Sequence, residues 1–304
     1  MQEWEMEQSP KGTARIAVGF ACMLILSVMV QLGFSFLLTQ FWPEALTQEW
    51  VTWVMLFLQY LVGIPVVLLC VRRVPAVPPR KRKMRGKLLA EYFMVGYALM
   101  YIGSLIGQGM NFLVSLFLNR RTFNGIEAIV TESSVWLNFL LISILAPIIE
   151  EFLFRKVIMD RLLAYGERAA VLVSALMFGL YHGNLYQFFY AFLVGIILGL
   201  LYARSGRLGY SIGFHILFNS LGSLVSVFIL EKDLLWLTML STVLLLTVAA
   251  LGVVFLIADR RYFCPRLPEQ GGWQQGWKRQ LLGNKGMILF YLCCAGLFAF
   301  NLAL

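Results

Sequence analysis

Apolar segments long enough to matter to a membrane recur along the whole chain, and no other feature constrains its fold as strongly. They fall at about 16–38, 51–71, 89–117, 135–154, 169–182, 187–203, 208–230, 234–258 and 286–303. A run of 18 or more apolar residues crosses the ~30 Å hydrocarbon layer as a helix. Only 13% of the 304 residues are charged, against about 25% in a typical soluble domain. The two-residue alternation of an outer-membrane barrel is absent. The sequence therefore predicts an all-α, polytopic transmembrane bundle of eight or nine hydrophobic segments. The first run is too long for a signal-peptide core and no small-residue cleavage site follows it, so it reads as a retained helix.

The net charge of +9 is distributed in a way that argues against nucleic acid. Eight bases and no acids fall between Arg72 and Lys87, directly after an apolar run. Such clusters mark cytoplasmic loops that contact anionic lipid, and this one lacks the interleaved aromatics of single-strand binders. Pro75, Pro78 and Pro79 predict that it is extended. With the N-terminus cytoplasmic, all of the 25 Lys and Arg except Arg120, Arg121 and Lys232 fall inside, which is the expected bias. The reading is a multi-pass protein of the cell membrane, surrounded by membrane lipids, with three parts: N-terminal helices with a basic loop (1–134), a core (135–230) and C-terminal helices (231–304). Cys22, Cys70, Cys264, Cys293 and Cys294 form no CxxC and read as packing or lipid-facing thiols.

One segment is anomalous. The run 169–182 spans only ~20 Å as a helix, and Gly183-Asn184 interrupts it. It either crosses or forms a re-entrant hairpin with the next segment, and the charge count is compatible with both. Irregular backbone at membrane depth is tolerated only where protein buries it or water reaches it.

Most acids lie in loops or near helix ends. The exceptions are Glu150 and Glu151, which end the apolar run SVWLNFLLISILAPIIEEFLFR. Placing an Asp at the centre of a membrane helix costs about 2.5–3.5 kcal/mol on insertion scales, so intramembrane carboxylates are functional candidates. Glu151 and Arg155 are i,i+4 and share a helix face, which assigns Glu151 to an ion pair. Glu150 points about 100° away, in the position of a general base. The chain has two histidines, and both lie in apolar segments: His182 closes LMFGLYHGN and His215 lies in GYSIGFHILFNS. His215 and Asn219 are i,i+4. Counted from their helix ends, Glu150 and His215 sit about 7–10 Å below the cytoplasmic boundary and can meet. His182 reaches that level only if its segment is tilted or re-entrant. Phe178, one turn earlier, is expected to pack against the site.

Three pieces in this order, EExxxR at 150–155, FxxxH at 178–182 and HxxxN at 215–219, resemble the CAAX protease and bacteriocin-processing family of intramembrane endopeptidases, also called Abi. The resemblance covers about residues 135–230. It implies a helical bundle whose active site opens toward the cytoplasmic side and acts on membrane-associated or lipidated protein and peptide substrates. It further implies that Glu150 activates the hydrolytic water, that His182 positions it, that His215 and Asn219 stabilise the oxyanion, and that Glu151 and Arg155 support the site. Chemistry alone agrees that amide hydrolysis needs a base and oxyanion donors. Glu150, His182 and His215 also make a His₂Glu zinc set with an open position. HExxH is absent, and the glutamate mechanism of the resembled family favours no metal. A non-catalytic immunity or sensor-regulating protein of the same fold is the first alternative, and a proton-coupled transporter using Glu150 and His215 as a relay is the second. The intact residue set favours the enzyme, and the lack of paired broken helices disfavours the transporter. The reading is bacterial, in the plasma membrane.

Overall fold

In the computed structural model, residues 10–120, 122, 134–224, 235–266 and 277–303 are described. Every regular element among them is helical: α1 (Pro10–Phe41), α2 (Glu49–Val71), α3 (Gly86–Leu118), α4 (Val135–Tyr165), α5 (Glu167–Tyr181), α6 (Leu185–Ser205), α7 (Leu208–Asn219, continuing as a π-turn over Ser220–Leu224), α8 (Leu235–Ala258) and α9 (Lys285–Ala303), with short helical turns between them. Among the described residues seven helices, α1 to α4, α6, α8 and α9, are long and apolar enough to cross a membrane. This is a multi-pass, all-helical membrane protein. The two apolar segments that do not reach spanning length among the described residues are α5, with 15 residues, and α7, with 12. The bases Arg121 and Lys232, expected on the outer side, lie outside the described residues.

The chain divides into two units, one of residues 1–76 with 274–296 and one of 77–273 with 297–304. In the first, α1 packs along α2 at small residues: a Cβ on Gly19 would stand 3.3 Å from the Val67 backbone. Phe20 meets Phe290 edge to face at 6.5 Å, and Thr13 Oγ1 donates to the Gln280 carbonyl at 3.0 Å.

The second unit holds every candidate site residue. Its centre is a cluster of Tyr97 and Ala98 from α3, Val194 and Leu198 from α6, Phe218 from α7 and Ala249 from α8. Helix α6 is the axis. On one side α3 approaches so closely that a Cβ on Gly103 would lie 2.5 Å from the Tyr190 Cα. On the other side Gly195 of α6 meets Ala175 and Phe178 of α5. Small residues serve here as they do in membrane bundles generally, by letting backbones approach.

Helix α4 departs from ordinary winding. Phe139–Leu145 and Phe152–Met159 are π-helical, and they bracket the α-helical stretch Ala146–Glu151. Pro147 supplies part of the reason. The Ala146 N–H already bonds back five residues to the Leu141 carbonyl. The next bond in that pattern would run from residue 147 to the Ile142 carbonyl, and proline has no N–H to make it. π-turns inside α-helices concentrate at functional sites, and this pair flanks the two glutamates.

Candidate active site

The glutamate pair sits in the α-helical stretch between the π-turns, and burial separates its two members. Glu151 and Arg155 are fully buried. Arg155 Nε donates to Glu151 Oε2 at 2.9 Å and Nη2 donates to Oε1 at 3.3 Å, the i,i+4 pair expected from the spacing. Its Nη1 donates to Ser174 Oγ at 3.0 Å, and Ser174 in turn donates to the Phe154 carbonyl at 3.0 Å. The guanidinium carbon stands 5.4 Å from the centre of the Phe178 ring. A buried ion pair persists when hydrogen bonds compensate its lost hydration, and here each guanidinium nitrogen of Arg155 has an acceptor.

Glu151 has a second role that its spacing did not reveal. Its Oε1 lies 3.1 Å from His215 Nδ1. A carboxylate already paired with a guanidinium is an acceptor, so Nδ1 carries the hydrogen and Nε2 is the atom left for chemistry. That Nε2 lies 3.6 Å from Glu150 Oε2. Glu150 and His215 are only 8% and 4% exposed. The matching depths expected for them are consistent with this approach.

His182 joins them because α5 is short. The helix ends at Tyr181, and the chain turns at Gly183 with φ +67°. His182 Nδ1 lies 2.8 Å from the Phe178 carbonyl. A carbonyl only accepts, so this nitrogen also carries the hydrogen and Nε2 of His182 is an acceptor in the neutral ring. Phe178 is the shared floor: its ring meets His182 edge to face at 4.9 Å and His215 at 5.6 Å. The last turns of α9 brace this corner, where Asn301 Nδ2 donates to the Gly183 carbonyl at 3.2 Å.

Asn219 lies one turn beyond His215 and binds elsewhere. Its Nδ2 donates to the Ile142 carbonyl at 3.0 Å, the group that Pro147 leaves without a helical donor. Buried main-chain carbonyls are almost always paired, and a side chain from α7 here substitutes for the missing amide. The bond ties the helix carrying His215 to the helix carrying Glu150. One of the two amide hydrogens of Asn219 is thereby committed.

Residues 132–221 match the family model described as type II CAAX prenyl endopeptidase Rce1-like. The match covers residues 132–221 of the 304 and makes this segment similar to that family. It runs through α4 to α7 and contains all seven residues singled out from the sequence. No curated protein and no solved structure matches the chain.

The matched segment also contains residues that no motif marks. Ser174 is fully buried and completes the coordination of Arg155. Its position four residues before Phe178 puts both on one helix face, a signal available in the sequence but hidden by the frequency of serine as a mere packing residue. Tyr181 and Tyr190 lie within the electrostatic range of Glu150. Among the described residues, no three His, Cys, Asp or Glu side chains are arranged to hold a metal ion, and this includes the Glu150, His182 and His215 set considered for zinc.

Proposed function

We propose that the protein is an intramembrane endopeptidase that hydrolyses peptide bonds of membrane-associated or lipidated substrates by a glutamate mechanism without a metal. The observation that carries this reading is the buried approach of Glu150 Oε2 to His215 Nε2 at 3.6 Å, with His182 on the same aromatic floor. A water seated beside Glu150 Oε2 can attack a scissile carbonyl whose oxygen faces His215 Nε2. Glu150 takes one of its protons as the water oxygen attacks the scissile carbonyl carbon. His182 Nε2 accepts from the water and so orients it. The carbonyl electrons move to oxygen, and the oxyanion is stabilised by His215, donating from Nε2 of the doubly protonated ring, and by Asn219. Collapse breaks the C–N bond, and Glu150 returns the proton to the leaving nitrogen. Glu151, held by Arg155, keeps the His215 ring in the tautomer and orientation that this requires.

The proposed setting is the bacterial plasma membrane, with the substrate approaching from the cytoplasmic side, and no step involves nucleic acid. The test uses the full chain reconstituted in lipid with a prenylated membrane peptide, and mass spectrometry of the products. Cleavage into two fragments that is lost in Glu150→Gln supports the reading. Product formed at an undiminished rate by Glu150→Gln refutes it.

A further inference from the structure

The basic run that follows α2 does more than its charge requires. Residues 75–85 form no helix, yet their path in the second unit is pinned by main-chain bonds. The Val77 N–H donates to the Asp160 carbonyl at 2.5 Å, and the Arg82 N–H donates to the Ser205 carbonyl at 2.6 Å. Arg207 Nε donates to the Arg82 carbonyl at 3.2 Å. Where the run crosses the end of α6 it passes over Gly206, whose φ is +63°. A Cβ there would lie 2.5 Å from the Arg80 carbonyl oxygen and 2.6 Å from that of Pro79. Prolines 78 and 79 hold the segment extended. It is a strap laid across the ends of α4 and α6 and leading into α3.

All the hydrogen bonds of the strap given above engage its backbone, and the cationic side chains point away. Arg80, Lys81, Arg82, Lys83, Arg85 and Lys87 are all exposed. Among the described residues the one ion pair in this run is Lys87–Glu91, at 4.0 Å. The next residue after Arg85 is Gly86, the first of the spanning helix α3, so the six cations lie just before and within the first turn of a spanning helix. A signal that only sets topology needs positive charge and no fixed path. A strap whose backbone is clamped and laid over a glycine that leaves no room for a side chain carries its charges on a fixed main-chain path.

We propose that the strap Arg80–Lys87 is a binding surface for the headgroups of anionic phospholipids in the adjoining leaflet. Charge complementarity and the place of the cations at the start of a spanning helix single out lipid as the occupant. The positive-inside bias places this end in the cytoplasmic leaflet, where anionic lipids collect. This inference stands apart from the protease reading, since it invokes no site residue and its test needs no substrate.

The full chain is reconstituted in bilayers of equal phosphatidylglycerol and phosphatidylcholine, extracted in mild detergent, and its retained lipid is quantified. Each basic residue near an anionic surface contributes roughly fivefold in binding at low salt. Wild-type protein is expected to retain phosphatidylglycerol over phosphatidylcholine by at least about tenfold, decreasing with added salt. The variant Lys81→Gln/Arg82→Gln/Lys83→Gln/Arg85→Gln loses most of that preference, while Arg260→Gln/Arg261→Gln, exposed bases outside the strap, keeps it. Equal retention of the two lipids by wild type, or a preference that survives the fourfold substitution, overturns the proposal. Binding of an acidic peptide without any lipid preference also overturns it, because the strap would then serve a protein partner.

Discussion

The link between Asn219 and the Ile142 carbonyl predicts an energetic coupling between two residues that have no obvious reason to communicate, Asn219 and Pro147. Asn219→Ala removes the donor and leaves a part-buried carbonyl without it. An orphaned buried polar group costs about 1–3 kcal/mol, while side-chain hydrogen bonds between membrane helices average about 0.6 kcal/mol with a maximum near 1.7. The expected loss is therefore about 1–2 kcal/mol. Pro147→Ala restores an amide at the position from which the π pattern would reach Ile142. In that background Asn219→Ala should cost about 1 kcal/mol less, twice the ~0.5 kcal/mol scatter of independent sites. Asn219→Asp should be worse than Asn219→Ala, because it turns an acceptor toward the carbonyl. Equilibrium unfolding of the four proteins of the cycle in mixed micelles reads the coupling without any substrate. Additive losses would show that Pro147 does not create the need that Asn219 meets.

Arg155→Met leaves Glu151 fully buried without its cation, and should cost about 3–5 kcal/mol in the same unfolding assay, with part recovered by adding Glu151→Gln. Ser174→Ala removes an acceptor for Arg155 and a donor to Phe154; a loss of about 1–2 kcal/mol is expected, and a variant as stable as wild type would show that Ser174 only fills space. Prolonged chelator treatment should leave the peptidase rate unchanged; stoichiometric zinc in the purified protein that disappears with His182→Ala would overturn the metal-free mechanism.

The spanning helices were legible because hydropathy over 18 residues is a local property that lipid enforces. The Glu151–Arg155 pair was legible for a similar reason, since i,i+4 spacing fixes the geometry within one helix. The place of His182 was not, because it depends on where α5 stops and on a left-handed glycine at 183. The bond from Glu151 to His215 joins residues 64 positions apart, and no periodicity announces it. The π-turns of α4 were hidden too, since apolar residues such as Phe139 and Leu145 suit either winding. Pro147 was the visible clue: a proline inside a helix leaves a carbonyl upstream without its amide donor, and Asn219 supplies one here. The strap was half legible, as prolines and bases gave its extension and charge while its attachment to Asp160 and Ser205 required the fold.

The central claim is that Glu150 and His215 act as a unit in one hydrolytic step, Glu150 on the water and His215 on the oxyanion, and a kinetic double-mutant cycle on kcat/KM tests it most directly. Glu150→Gln and His215→Ala should each lower kcat/KM by roughly 10²–10⁴, and the double variant should fall no more than about tenfold below the worse single one, as residues that work together do. Two losses that multiply in full, or either variant remaining within a few-fold of wild type, would contradict it.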